Sequence, residues 1–305
     1  MYLVGFVEYK KTVFLLVLVL FSSLILFTYS SAYNYDYVNV STRVNVTNAY
    51  PSIDIIRIDQ NILLTAGATQ IVRCNVSLHD WNGYSDIVSV NATLWDNNTV
   101  NFSSPDNNNT HYTNNSCLNL SQSGYYANYT CAFNVWYYAN NGSNWLCNAT
   151  VRDNYNFTSS GQNSTSIQGF YALNVTSLID YGNMVLADFS PNVSVNISNI
   201  GNLRINVSVL GYGGSNKAAG TNYSMFCQFG NITIDNERFS VNSSADFNAK
   251  TNLSSYSQNV SGVSIPKTVN GVALVNTTYW QLYTSPVNNP FGLCNGTVEF
   301  TASAG

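Results

Sequence analysis

Charge is what this chain has least of. Asp, Glu, Lys and Arg together make up 9% of its 305 residues, and lysine and glutamate are scarce. Long exposed helices with charged faces are therefore not expected. No basic patch is available to neutralise phosphates, which argues against a nucleic-acid partner. Histidine occurs only as His79 and His111, and no C-x-x-C spacing is present, which argues against zinc. Both histidines fall between predicted strands and read as solvated polar residues. No glycine-rich phosphate loop follows a predicted strand. Many of the serines and threonines are taken up in a recurrent Asn-x-Ser/Thr motif, and no nucleophile, base or carboxylate pair stands out. The expectation is a protein without enzymatic activity and without a resident cofactor. No second long apolar run follows the N-terminal one, so membrane contact is expected only through that first segment.

What is present points outward from the cell. Lys10 and Lys11 precede an apolar run from Val13 to Phe27, and Ser30-Ser31-Ala32 supplies small residues for cleavage. Residues 1–32 read as a secretory signal peptide, or as an uncleaved signal-anchor if the helix extends. Asn-x-Ser/Thr occurs about 25 times, where composition alone would scatter roughly 9. The acceptors include Asn39, Asn45, Asn75, Asn91, Asn128, Asn148, Asn192, Asn196, Asn206, Asn231 and Asn295. Six cysteines in an exported chain suggest three disulfides, and localisation at the cell surface or beyond it.

Tyr129 to Asp153 organises the chain. Cys131, Phe133, Val135 and Tyr137 share one face, a polar Asn140-Asn141-Gly142-Ser143 turn follows, and Trp145, Cys147, Ala149 and Val151 share the next face. Period two means one face in and one out, and the stretch reads as a β-hairpin. Asn148 falls on the wet face, so cysteine goes inward and the glycan acceptor outward. Gln70–Leu78 and Ile87–Leu94 alternate likewise, the second with Val88, Val90, Ala92 and Leu94 inward. Asn97–Asn119 reads as a long polar tract and Asn154–Gln168 as a loop or linker. Val193–Ile197 and Leu203–Val209 flank an Asn199-Ile200-Gly201-Asn202 turn. Short strands with polar turns indicate an all-β chain of two antiparallel β-sandwich domains, 33–165 and 166–305.

Cys74 mid-strand early in the first domain, and W-L-C-N-A-T-V-R-D around Cys147 late in it, resemble the immunoglobulin-like fold. The core Trp that usually follows the first cysteine is missing. The strand, N-I-G-N turn and strand after Asn192, with Tyr279-Trp280 and the closing G-L-C-N-G-T-V-E-F-T-A, resemble β-sandwich modules of archaeal surface proteins and CARDB-like adhesion domains. The resemblance implies a structural or adhesive glycoprotein whose partners are other surface proteins or glycans. Among fifteen pairings, inward parity favours Cys74–Cys147, and the short separation of Cys117 and Cys131 favours a local staple between them. Cys74–Cys131 with Cys117–Cys147 remains the rival. Cys227 and Cys294 are the only cysteines after residue 165 and should pair. Asp80 and Asp153 each lie six residues after Cys74 and Cys147, so a Cys74–Cys147 bridge would bring them to one end, with Asp86 beside them. Such carboxylates suit Ca²⁺, though ordinary turn-capping Asp is the simpler reading. Trp81 and Trp95 are the candidates for exposed aromatics that stack on a carbohydrate, which gives the alternative of a carbohydrate-binding module, though core or strand-end packing is the simpler role for each.

Overall fold

The structure, a computed structural model, describes residues 5–27 and 39–305. The expected cleavage site at 30–32 lies outside them. Gly5–Phe27 forms an α-helix. Among the described residues no helix is long and apolar enough to cross a membrane. Met1–Thr47 and Asn48–Gly305 form separate units. The second unit is all-β.

Eight strands come first: β1 (Ser52–Ile58), β2 (Thr69–His79), β3 (Ile87–Asp96), β4 (His111–Asn114), β5 (Leu118–Ser123), β6 (Tyr126–Trp136), β7 (Gly142–Asp153) and β8 (Thr158–Ile167). They make two antiparallel sheets, ordered β1-β2-β6-β5 and β4-β3-β7-β8. Alternation buries Val72, Cys74, Val76 and Leu78 from one sheet against Leu94, Trp145, Cys147 and Val151 from the other. Each large apolar side chain so buried contributes about 1.5–3 kcal/mol.

Ten strands follow: β9 (Leu173–Val175), β10 (Val193–Asn199), β11 (Ile205–Gly213), β12 (Tyr223–Phe229), β13 (Asn231–Thr233), β14 (Glu237–Ser240), β15 (Thr251–Asn252), β16 (Gln258–Ile265), β17 (Val275–Leu282) and β18 (Phe291–Ala304). Their sheets run β15-β14-β17-β10-β9 and β13-β12-β18-β11-β16. A second core lies between them around Trp280, Ile197, Ile205 and Ile265.

Three disulfides form: Cys74–Cys147, Cys117–Cys131 and Cys227–Cys294. These are the expected pairings, and bonds of this kind belong to an oxidising compartment. Cys74 faces Cys131 across the β2–β6 ladder, yet it bonds to the opposite sheet.

Several expectations change. The Tyr129–Asp153 stretch is not a hairpin, because β6 and β7 belong to different sheets. Tyr137, Tyr138 and Ala139 between them are buried, and carry the chain across the core. The same holds for β10 and β11 around Asn199–Asn202. Val88 is exposed, because a register shift between Ile87 and Ser89 inverts the alternation at the start of β3. The supposed loop or linker contains β8, an edge strand rich in Ser, Thr and Asn. The long polar tract contains β4 and the start of β5.

The two cores are joined by polar contacts. Asn109 is buried, and its Nδ2 donates to Tyr138 O and to Thr268 O at 3.1 Å each. Asn270 N donates back to Asn109 Oδ1 at 2.9 Å. Tyr137 OH meets Thr268 Oγ1 at 3.0 Å, and Lys267 Nζ donates to Asn140 Oδ1. At the crossover, Phe170 N donates to Asn202 Oδ1 at 2.8 Å. A Cβ on Gly201 would lie 2.6 Å from Phe170 O, so only glycine permits this approach.

Candidate functional site

The Cys74–Cys147 bridge fixes β2 against β7, and both strands then run out at one end of the first pair of sheets. Six residues beyond each cysteine stand Asp80 and Asp153, both fully buried. Asp80 opens an Asx turn, its Oδ1 accepting from Asn82 N at 2.8 Å. Gly83, at φ 108°, turns the chain into a single 3-10 turn, Tyr84–Asp86. That turn delivers Asp86 to the same end. The nearest oxygens of Asp80, Asp86 and Asp153 all lie within 4.8 Å of one another.

One oxygen each of Asp80 and Asp86, and both of Asp153, are already committed. Asp153 Oδ1 accepts from Tyr155 N and Phe157 N at 2.9 and 2.8 Å. Asp153 Oδ2 accepts from Asn48 Nδ2 at 2.8 Å. Asp86 Oδ1 accepts from Asn154 Nδ2 at 3.0 Å. The rest is not. Asp80 Oδ2, Asp86 Oδ2 and Asn48 Oδ1 are buried and have no hydrogen-bond partner. Among the described residues the ion pairs are His79–Asp54 and His111–Asp106, so no cation of the protein is paired with these three carboxyls. Burial pushes the Asp80 carboxyl up; the Asn82 N–H opposes this, Asp86 and Asp153 push it further up, and His79 pulls it down. Two ionised carboxylates within 4.8 Å of one another repel by at least about 3.5 kcal/mol at an effective dielectric of 20.

Asn48 is the residue that the sequence reading passes over. The signal was present: it is the asparagine just before the first strand that does not begin an Asn-x-Ser/Thr motif. Ala49 N donates to Asn82 Oδ1 at 2.7 Å, and Tyr50 stacks on Phe157 with centroids 4.2 Å apart. Residues 48–50 thus form a strap over the acidic end.

The two tryptophans part company. Trp81, next to Asp80, is 57% exposed and clusters with His79, Tyr125 and Tyr126 at 4.8, 5.4 and 6.5 Å. Trp95 is buried, with Nε1 donating to Asn97 Oδ1 and its ring edge-on to Phe102, so it offers no surface for stacking. Its parity reads outward, but the 97–110 loop covers that side. Neither histidine is solvated filler. His79 and His111 each hold an aspartate at 2.7 Å, and His111 is buried.

A further feature has no counterpart in the sequence reading. Glu237 is buried beside a cavity of ≈ 520 Å³ between the sheets of the second core, lined by Leu173, Val175, Met225 and Phe300. Tyr181 OH donates to Glu237 Oε1 at 2.8 Å. Burial pushes the Glu237 carboxyl up to about 7, against the pull of that hydrogen bond. Among the described residues it is the single titratable side chain lining the cavity.

The acceptor asparagines, all within the described residues, are each exposed or half-buried. Asn109, Asn199 and Asn202, the buried asparagines, begin no acceptor motif.

No family model matches the chain, and no curated protein does. Among solved structures it is similar to "Secreted serine protease VesC from Vibrio cholerae", at 7% identity and a TM-score of 0.20, covering 82% of this chain and 50% of that one. The chain thus spans about half the length of that protease. A likeness at this score carries no argument about fold or activity.

Proposed function

We propose that this is a secreted or cell-envelope-associated N-glycosylated surface protein of structural or adhesive role. In this reading it is built from two immunoglobulin-like sandwich modules, 33–165 and 166–305, and exported by its N-terminal segment. It is non-enzymatic and partners other surface proteins or glycans, as the resemblance to archaeal surface modules implies. The observation that carries the reading is the segregation of asparagine: acceptor positions keep solvent access while the buried asparagines lie outside the motif. A glycan cannot be buried, so such sorting is what glycosylation demands. Peptide mass mapping of the protein isolated from its native host tests it. Glycan mass is expected on most of Asn75, Asn128, Asn148, Asn192, Asn196 and Asn295. Unmodified peptides at all of them would refute the glycoprotein reading.

The exposed cluster of Trp81, Tyr125 and Tyr126 favours a second reading, a carbohydrate-binding module. It predicts that Trp81→Ala abolishes retention on polysaccharide affinity gels while leaving the melting temperature within about 1–2 °C of the parent. Equal retention of both proteins would remove this reading.

A further inference from the structure

We propose that Asp80, Asp86, Asp153 and Asn48 hold one calcium ion, which ties the strap at residues 48–50 to the end of the first pair of sheets. The proposal does not depend on glycosylation.

Three buried oxygens with no partner, Asp80 Oδ2, Asp86 Oδ2 and Asn48 Oδ1, belong to side chains that meet at one place. A buried oxygen without a partner costs free energy, and a buried carboxylate costs more. Three in one cluster, with no cation of the protein paired to it, is a donor set awaiting a positive charge. The spacing fits. Oxygens bound to one Ca²⁺ at about 2.4 Å can lie no more than about 4.8 Å apart, and the carboxylate oxygens here lie within 4.8 Å. The donors are all oxygen, the choice of a hard cation. The nearest histidine, His79, has its Nδ1 turned to Asp54. Asp153 Oδ2 keeps a lone pair beyond the one given to Asn48, making four side-chain oxygens. Backbone carbonyls and water complete the six to eight that Ca²⁺ takes.

The remaining contacts make the site rigid before the ion arrives. Asn82, Asn154, Tyr155 and Phe157 fix the other carboxylate oxygens. Asn48 alone comes from outside the two loops, through the strap that Ala49 and Tyr50 pin down. The ion therefore couples the entry of the chain to the loops that follow Cys74 and Cys147.

Purified full-length protein, its disulfides intact, is stripped with EDTA and dialysed. Calorimetric titration with CaCl₂ is expected to give one site, with a dissociation constant of about 10⁻⁵–10⁻³ M. Calcium at a hundredfold excess over that constant should raise the melting temperature by about 5–10 °C. Tb³⁺ should bind in competition with Ca²⁺, with luminescence sensitised by Tyr84 and Trp81. Asp86→Asn should weaken Ca²⁺ at least tenfold. Asn48→Ala should weaken it less, and should abolish calcium-dependent protection of the backbone amides of residues 48–50 and 52 from hydrogen exchange. Should Asp86→Asn fail to fold, Asn48→Ala decides, since it removes a neutral side chain at the margin. No heat and no melting shift at 10 mM CaCl₂ (about ten times the weakest expected constant) overturns the proposal. Ca²⁺ binding untouched by Asn48→Ala overturns the strap. An equal shift with MgCl₂ overturns the assignment to calcium.

Discussion

A buried ionisable side chain is costly unless its surroundings settle its charge, and Glu237 is settled by staying protonated. Its folded-state value of about 7 stands above the ordinary 4.5, because burial disfavours the anion. The sign follows. Below pH 4.5 the carboxyl is protonated in both states and its folded form carries no penalty. Between 4.5 and about 7 the unfolded chain ionises first, so stability falls as pH rises, and it levels off above 7. At 1.36 kcal/mol per pH unit the whole fall is roughly 3 kcal/mol. Glu237→Gln keeps an oxygen for Tyr181 and cannot ionise. Denaturant unfolding between pH 4.5 and 8 should show a flatter profile for the variant, and a higher stability than the parent at pH 8. Parallel profiles would refute this account. Residue identity alone shows none of this: a lone Glu in N-E-R-F reads as a surface charge, and only the packing of β14 against β17 puts it inside.

At the scale of elements, period two is readable but partners are not. Val72 to Leu78, and Trp145 to Val151, lie inward as their alternation requires. The same alternation is produced whether two arms lie side by side or face each other across a core. Hence β6 and β7 read as a hairpin and are in fact opposed. Strand β8 is invisible for a different reason. Its Ser, Thr, Asn and Gly residues prefer turns, and it is ordered by pairing along β7 from Gly142 to Arg152. The disulfides differ in what they hold. Cys74–Cys147 spans 73 residues and Cys117–Cys131 spans 14. The chain-entropy model assigns them about 4.4 and about 3 kcal/mol. Replacing Cys74 and Cys147 together by Ala should therefore lower the melting temperature more than replacing Cys117 and Cys131, as read by differential scanning calorimetry. The opposite order would mean that the inter-sheet bridge is not what secures these sheets.

At the scale of the molecule, two cores share one compact unit because polar side chains reach across between them. Asn109 makes two such bonds, to Thr268 and Asn270, from a buried position that a third bond, to Tyr138 O on its own side, holds in place. Asn109→Ala leaves Thr268 O and Asn270 N without their partner, at a cost of roughly 2–4 kcal/mol. It also leaves the Asn108-x-Thr110 acceptor motif intact. Calorimetry should show a single transition for the parent and two separable ones for the variant. One unchanged transition would show that the cores are coupled elsewhere, for example through Gly201 and the Phe170 crossover.

The chain's own order determined most strand faces, because period two is local, and it favoured the cysteine pairing and the meeting of Asp80 with Asp153, whereas the bond from Cys74 to the opposite sheet and not to Cys131 beside it was decided by tertiary structure. It marked the acceptor motifs, because each is local. Tertiary structure alone decided which strands lie beside one another, why Trp95 is covered while Trp81 is not, and that Asn48 joins the aspartates from 32 positions before Asp80. Those depend on contacts between segments far apart in sequence, and alternation within a segment carries no record of what lies across from it.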